Sequence, residues 1–458
     1  MKFIICGAGQ VGTSIARHLA AEDNDVVVID QSAEQIGKIG ESLDVQGIVG
    51  FASHPEVLDR AGAADADMLI AVTREDEVNM VACQVAHSLF NVPTKIARVR
   101  HQSYLEASWA NLFTRGNLPI DVIISPEIEI ARAIARRLAA PGSFEMIPLA
   151  NGRVRITGVR CTSDCPLINT PLRQLTGLFP DLNIVVIAIM RQGRLLVPDG
   201  DSIMRTGDEV YFVVDSDHVS RAMSAFGHEE PEARRVVIVG AGNIGIFLAQ
   251  SIEDSDAAAN IKIIEWDRTV AQRASQALSR TTVIVGDALD PDILGEANVG
   301  AAETIVLVTN EDEVNVLGAL LAKRQGCRRA VTLANNPVLG PLVTNLGIDV
   351  VVSPRAITVS TILQHVRRGR IRSVHSLGEE IGEVIEGDAL ETSPFVGAPL
   401  KDIRMPEGVV VGALVRGDEV VIPRGDTIIK AHDRIILFAT SESVKKVEKM
   451  FSVRLEYF

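Results

Sequence analysis

The sequence predicts an α/β fold built on parallel sheets, and three observations carry that prediction. Aliphatic runs of strand length alternate with helix-length amphipathic stretches through much of the chain. Of the 458 residues 47% are hydrophobic but only 4% are aromatic, and such aliphatic content suits strands buried on both faces. A glycine-rich turn follows a strand-like run at two places, Gly7 and Gly240.

The two turns belong to an internal repeat. Lys2 to Gly12 (KFIICGAGQVG) recurs as Arg235 to Gly245 (RVVIVGAGNIG), and Ala71 to Asn79 (AVTREDEVN) as Leu307 to Asn315 (LVTNEDEVN). Ile120 to Pro126 (IDVIISP) recurs as Ile348 to Pro354 (IDVVVSP), and Pro198 to Asp201 (PDGD) as Pro423 to Asp426 (PRGD). The offset drifts between 225 and 236 residues while the order of landmarks never changes. That is the pattern of a duplication with small insertions and deletions.

Each half opens with alternating elements. In the first, Phe3 to Cys6 reads as strand, Val11 to Ala20 as helix, Val26 to Asp30 and Met68 to Val72 as strands, and Val78 to Leu89 as helix. That alternation implies a parallel sheet covered on both sides. Ser125-Pro126 and Ser353-Pro354 then start helices running to about Ala140 and Arg370, because serine accepts an orphan N–H and proline has none to lose. Beyond them come short β-rich runs: Ile184 to Met190, Val210 to Val214, Val409 to Val415 and Arg434 to Phe438. An amphipathic stretch, Val444 to Met450, reads as a closing helix. The expected architecture is therefore two tandem Rossmann-like parallel-sheet domains, each followed by a small α+β C-terminal lobe. Their expected bounds are 1–141 and 142–227 in the first half, 232–370 and 371–458 in the second, with a polar linker from His228 to Ala233.

Charge and hydropathy exclude several functions. With 45 basic and 59 acidic residues the net charge is −14, and −7 falls in each of residues 1–228 and 229–458. Such a surface repels polyanions, so nucleic acid and anionic lipid are poor direct partners. Mean hydropathy is +0.21, yet the longest apolar runs are strand-sized, whereas a spanning helix needs ~20 residues. The opening Met1 to Cys6 runs straight into glycines and is no signal peptide. Membrane association is expected only through a protein partner. The five cysteines (Cys6, Cys83, Cys161, Cys165, Cys327) are odd in number and scattered, so reduced thiols are expected. Cys161 and Cys165, with three residues between them, match neither a redox CxxC nor half a zinc site.

The glycine turns carry the chemistry. Gly7-Ala8-Gly9-Gln10-Val11-Gly12 follows a strand and opens a helix, and the next strand ends at Asp30, 18 residues after Gly12. Gly240-Ala241-Gly242-Asn243-Ile244-Gly245 leads to Glu265, 20 residues on. The first glycine makes the turn, the second lets a pyrophosphate approach the backbone, and the third lets helix pack on strand. Phosphates would then sit on unpaired N–H groups at the positive helix end. The carboxylate accepts from ribose hydroxyls and repels a 2′-phosphate, which favours NAD(H) over NADP(H). The plain alternative is that the glycines only fit a tight βα turn.

Thr73 and Thr309 fall at carboxyl ends of strands, where open α/β sheets bind ligands, and Arg74 stands beside the first. The run Thr73 to Asp76 also reads as an N-capping box, which explains it without a ligand. Arg98 ends the strand Lys95 to Arg98, where it either neutralises a phosphate or is merely solvated. Aligning Asn79 with Asn315 sets Ala334 opposite Arg98. Two basic patches, Arg132/Arg136/Arg137 and Arg367/Arg368/Arg370/Arg372, either complement negative helix ends or meet an acidic partner.

The doubled glycine units, each followed by Asp-Glu-Val-Asn, a Ser-Pro helix and a Pro-x-Gly-Asp hairpin module, resemble the TrkA family over essentially the whole chain. These are cytosolic regulatory subunits of bacterial Trk potassium uptake systems, built from tandem regulator-of-potassium-conductance units. The resemblance implies NAD(H) at Gly7 to Val11, Asp30, Thr73, Arg74 and Arg98, with a second site at Gly240 to Ile244, Glu265, Asp287 and Thr309. It also implies ATP and ADP as ligands and a homo-oligomeric ring, tetrameric in expectation. That ring would sit at the cytoplasmic face of a membrane-embedded potassium transporter subunit. After the third strand the family often carries Gly-Asp; this chain has Gly50-Phe51 in the first half and Gly286-Asp287 in the second. No catalytic residue and no metal ligand set is expected. Histidines such as His54, His87, His101 and His218 have no counterpart in the other half, and a dehydrogenase needs an acid/base facing the nicotinamide. An NAD-dependent dehydrogenase and a scaffold with decayed nucleotide sites remain the alternatives.

Overall fold

The computed structural model describes residues 1–451 except 23, 180–181, 230–232, 256, 337–338, 340–341, 344–345, 367–370 and 378–380. By contact it divides into two units, residues 1–130 with 354–366, and residues 131–353 with 367–458. Residues 230–232 of the linker and three arginines of the second basic patch (Arg367, Arg368, Arg370) fall outside the described residues.

The first unit is a doubly wound lobe. Strands β1 (Lys2–Cys6), β2 (Asp25–Asp30), β3 (Gln46–Val49), β4 (Met68–Ala71), β5 (Thr94–Arg98) and β6 (Val122–Ile124) pair in the order β3-β2-β1-β4-β5-β6. All the pairings are parallel. Strand order reverses beside β1, which opens a crevice at the carboxyl ends of β1 and β4. Alternation explains why the strands are apolar throughout. Phe3 and Ile5 pack with Ile15 and Leu19 of helix α1 (Gln10–Ala21), while Ile4 and Cys6 pack with Met80 and Cys83 of the helix Asp76–Phe90.

Helices do begin at Pro126 and Pro354, as the Ser-Pro pairs predict. The helix Pro354–Leu363 buries Val359, Ile362 and Leu363 against α1 and the first sheet, although its sequence belongs to the second half. The helix Pro126–Leu138 crosses the other way from Ala131 onward. Arg137 near its end is buried: it donates to the Ala133 and Phe144 carbonyls and pairs with Glu145 at 2.8 Å. It is an internal tie between helix and strand, so the reading of this patch as a partner surface fails at Arg137.

The second unit repeats the parallel sheet. Strands β12 (Arg235–Val239), β13 (Asn260–Glu265), β14 (Thr282–Val285), β15 (Thr304–Leu307), β16 (Arg329–Leu333) and β17 (Val350–Val352) run in the order β14-β13-β12-β15-β16-β17. The same unit holds both small lobes, each a five-stranded antiparallel sheet. The first comprises β7 (Ser143–Leu149), β8 (Val154–Arg160), β9 (Ile184–Arg191), β10 (Arg194–Leu196) and β11 (Glu209–Asp215), ordered β10-β9-β11-β8-β7. The second comprises β18 (Ile371–Leu377), β19 (Gly382–Asp388), β20 (Val409–Arg416), β21 (Glu419–Val421) and β22 (Arg434–Ala439), ordered β18-β19-β22-β20-β21. The predicted closing helix is present at Val444–Phe451.

These small lobes share one core. Ile156, Ile187, Tyr211 and Val213 of the first pack with Val384, Ala413, Ile436 and Phe438 of the second. A Cβ added at Gly412 would lie 2.5 Å from Val213 Cγ2 and 3.3 Å from Ile187 Cγ2. In the repeat Gly412 corresponds to Ile187, so a large residue in one copy fills the space left by glycine in the other. Each lobe is also closed by a buried ion pair at the same place. Arg191 grips Asp208 at 2.8 and 2.7 Å, and Arg416 grips Asp433 at the same distances.

The Pro-x-Gly-Asp motif is not the hairpin turn expected of it. The hairpins turn at Gln192-Gly193, both at positive φ as the right-handed strand twist requires, and at Gly417-Asp418. Pro198 to Asp201 comes later as an Asx-type turn in which Asp199 accepts from the Asp201 N–H at 3.0 Å and the Ser202 hydroxyl at 2.8 Å.

Two predictions follow from the shared core and the clamps. Gly412→Ala overpacks the contact and lowers stability by about 1–3 kcal/mol in thermal unfolding, and Val213→Ala in the same chain restores part of the loss. Burial pushes the Asp208 and Asp433 carboxyls up, but the arginine and a backbone N–H outweigh it and hold both below the usual carboxylate range. Their contribution is therefore complete above the unfolded value of ~3.9 and is lost as pH falls through the folded one. Melts from neutral to acid pH should show stability declining below about pH 4. Asp433→Asn should be less stable at neutral pH and show a shallower acid slope.

Candidate nucleotide site

The glycine loop is shaped by backbone contacts that leave no room for side chains at two of its three glycines. Gly7 has φ +112°, and a Cβ there would meet the Thr73 N–H at 3.0 Å; at Gly12 it would fall 1.8 Å from the Gly7 carbonyl. Gly9 is different: a Cβ there would meet nothing within 4 Å. The middle glycine therefore faces open space, as backbone approach by a diphosphate requires. Gly9 caps α1 without any side-chain hydrogen bond, and the first turn of α1 carries no acid. Its leading N–H groups, which have no intrahelical partner, are left for an anion.

Asp30 holds this loop in place. Its Oδ2 accepts from the Ala8 N–H at 2.7 Å and its Oδ1 from the Ser32 N–H at 2.8 Å. The same geometry recurs in the second lobe. Gly240 has φ +102°, a Cβ at Gly245 would lie 2.0 Å from the Gly240 carbonyl, and Gly242 faces open space. Glu265 accepts from the Ala241 N–H at 2.7 Å and from the Asp267 N–H at 3.0 Å.

Across the crevice the decisive residue is one that motif reading passed over. Asn79 is fully buried and uses its whole amide: Oδ1 accepts from the Thr73 N–H (2.9 Å) and hydroxyl (2.7 Å). Its Nδ2 donates to the carbonyls of Thr73 (3.2 Å) and Arg98 (2.9 Å). Asn315 does the same with Thr309 and with the Leu333 carbonyl. Asp76, one helical turn before Asn79, accepts from the Arg100 and His101 N–H groups, both at 2.8 Å; Asp312 does so from Asn335 and Asn336. The signal was the doubled Asp-x-x-Asn spacing, which puts both side chains on one face of a helix start.

Two expectations change. Thr73 is not part of a capping box: the helix Asp76–Phe90 is capped by Glu75 without a side-chain bond, because Asn79 captures the Thr73 hydroxyl. The counterpart of Arg98 is Leu333 rather than Ala334. Arg98 pairs with Ile124 and Leu333 with Val352, and both carbonyls accept from the repeat asparagine. One residue lost between helix and strand in the second copy produces the shift.

Arg98 reaches back into the crevice, donating from Nη2 to the Thr73 carbonyl at 2.6 Å, while its Nε is buried without a partner. Burial pushes the guanidinium below its usual range and Arg100 adds repulsion, against which Glu127 and Asp76 pull the other way. A buried cation with an unused donor suits an anionic ligand. Arg74 is exposed beside it, and Asp287 is exposed after β14, where its Oδ1 accepts from the Leu289 N–H at 2.8 Å. Phe51, at the position of Asp287, is exposed, and its ring lies tilted against that of His54 with centroids 5.2 Å apart. The five cysteines are all buried as free thiols.

Family models fit both halves in register with these lobes: the TrkA-N domain matches residues 3–126 and 236–354, and the TrkA-C domain residues 156–227 and 388–452. The chain belongs to the TrkA family. It is 51% identical over all of its length, and all of the relative's, to the Trk system potassium uptake protein TrkA of Azorhizobium caulinodans. With the protein of that name from Halomonas elongata identity is 41%, again over the whole of both chains. Among solved structures, the GsuK RCK domain aligns with TM-score 0.61 at 19% identity, covering 99% of this chain and 95% of that one. The GsuK channel bound to NAD aligns with TM-score 0.59, covering 99% of this chain and 79% of that one. At such identity these two establish a shared fold. Within that fold the Asp-Glu-Val-Asn block, present in both halves of this chain, is a staple for the crevice floor.

Asn79→Ala should therefore cost about 2–4 kcal/mol in thermal unfolding, since it strands several buried polar groups. Hydrogen exchange should accelerate first at the amides of Gly7, Val72 and Thr73.

Proposed function

We propose that this chain is a nucleotide-responsive regulatory subunit of a potassium uptake system. In this reading the first lobe binds NAD(H), both lobes accept adenine nucleotides including ATP and ADP, and the chain gates a membrane-embedded Trk-type transporter subunit. The observation that carries it is the pairing, twice over, of an open middle glycine at a helix start with a carboxylate fixed at the neighbouring strand end. Family membership and the names of the full-length relatives supply the potassium transporter as the partner.

Among the described residues no helix is long and apolar enough to cross a membrane. In this reading the chain attaches at the cytoplasmic face through the pore subunit. A homo-oligomeric ring, tetrameric in this reading, would carry lobe movement to the pore. Turnover is not part of the proposal. Asp30 and Asp76 each accept backbone N–H groups, and Asn79 bonds the Thr73 N–H and hydroxyl, contacts that in this reading form a binding floor. A nucleotide acts here by its difference in affinity between two lobe arrangements, so pore state should in turn alter nucleotide affinity.

Calorimetric titration tests the reading. The parent chain should bind NADH and ATP. Arg98→Ala should weaken NADH about 10-fold or more, as loss of a charged hydrogen-bonding partner does, and flatten the salt dependence of binding. Asp30→Asn should narrow the preference for NADH over NADPH by relieving repulsion of the 2′-phosphate. Absence of NADH and ATP binding by the parent chain would remove the proposal. Intact binding with no nucleotide effect on potassium flux in reconstituted vesicles would confine the chain to a scaffold.

A further inference from the structure

The second lobe keeps the glycine cradle and the acid but has Leu333 where the first has Arg98. It must hold a nucleotide by something other than that cation. The residue following Glu265 is Trp266, at 78% the most exposed of the large apolar residues among those described. Tryptophan is ordinarily buried for most of its surface. None of the ring pairs among the described residues includes it.

The backbone on either side is not free. Glu265 accepts from the Ala241 N–H of the glycine loop and from the Asp267 N–H. Asp267 in turn caps the helix Arg268–Ala277 through the N–H groups of Thr269 (2.7 Å) and Val270 (3.0 Å). An exposed indole is thus carried on a backbone tied at both neighbours and, through one carboxylate, to the phosphate cradle. In the first lobe the same position is Gln31, and the exposed aromatic ring, Phe51, stands instead at the end of β3, where the second lobe has Asp287. In each lobe one exposed aromatic thus follows a strand end beside the acid, Phe51 after β3 and Trp266 after β13.

The chemistry of a nucleoside says what belongs there. The base leaves the ribose at C1′, next to the hydroxyl-bearing carbons, so a carboxylate holding those hydroxyls has the base within one sugar's width. We propose that Trp266 is the base platform of the second site, so that this lobe selects an adenine nucleotide by stacking where the first selects by charge. This rests on the reading that the second lobe binds nucleotides at all, and it adds which residue does the selecting. Binding there should depend little on salt, since stacking replaces ion pairing.

The chain has two tryptophans, Trp109 and Trp266, so Trp109→Phe leaves Trp266 as the sole indole reporter. In that variant, adenosine and ADP should quench the emission, while ribose 5-phosphate and pyrophosphate should not. In calorimetry on the full chain carrying Arg98→Ala, Trp266→Ala should weaken ADP at the remaining strong site about 10-fold or more, and Trp266→Phe should retain most of the affinity. Two ADP-binding events unchanged by Trp266→Ala would overturn the platform and leave the sensor reading standing. No ADP binding by the parent chain would remove both. Emission that responds to protein concentration but not to adenosine would assign the ring to contact with a second copy and overturn the proposal.

Discussion

The buried amide of Asn79 is the constraint on which the first crevice depends, and Asn315 serves the second. An amide offers two acceptor positions and two donors, and here all are used on backbone or hydroxyl groups from two strand ends. That fixes the end of β4 against the end of β5 and sets where Thr73 lies. Thr73 in turn lies within 3.0 Å of where a Cβ on Gly7 would fall, so the glycine turn is shaped from below by the staple and from the side by Asp30. Remove the amide and the loop has no floor. The acid that would recognise ribose is thus already structural, which couples ligand recognition to the rigidity of the loop.

Duplication produced two lobes with one plan and different chemistry. The staple, the cradle and the acid are retained in both, because each is needed to close the fold at its carboxyl edge. What differs is peripheral to that closure: Arg98 against Leu333, Phe51 against Asp287, Gln31 against Trp266. Beyond Arg98's bond to the Thr73 carbonyl and Asp287's to the Leu289 N–H, these side chains hold no backbone group described for the scaffold, which leaves them room to differ between the copies. The two crevices therefore offer different side-chain chemistry around the same cradle.

The small lobes follow the opposite logic. Their sheets meet face to face, and divergence there is coupled: Ile187 is large because its counterpart Gly412 is absent as a side chain. Two identical copies would present either two isoleucines or two glycines, one overpacked and the other hollow. The pairing is therefore specific to one chain carrying both halves, and the buried Arg–Asp clamps keep each sheet edge in register behind it.

The α/β class, the doubling, the strand and helix sequence of each half and the glycine cradles were legible in the sequence, because each rests on local pattern. Strand alternation, a Ser-Pro helix start and the spacing from Gly12 to Asp30 need no knowledge of the partner across the core. Contacts between residues far apart along the chain were not legible. That the helix Pro354–Leu363 packs on the first sheet, that Arg137 is an internal tie, that Thr73 answers to Asn79 rather than capping a helix, and that Leu333 stands opposite Arg98 all depend on which surfaces meet. Sequence determines what each segment offers to bury or to bond. Only the assembled core decides which of those offers is taken, since a buried amide or guanidinium must find its partners wherever the packing has placed them.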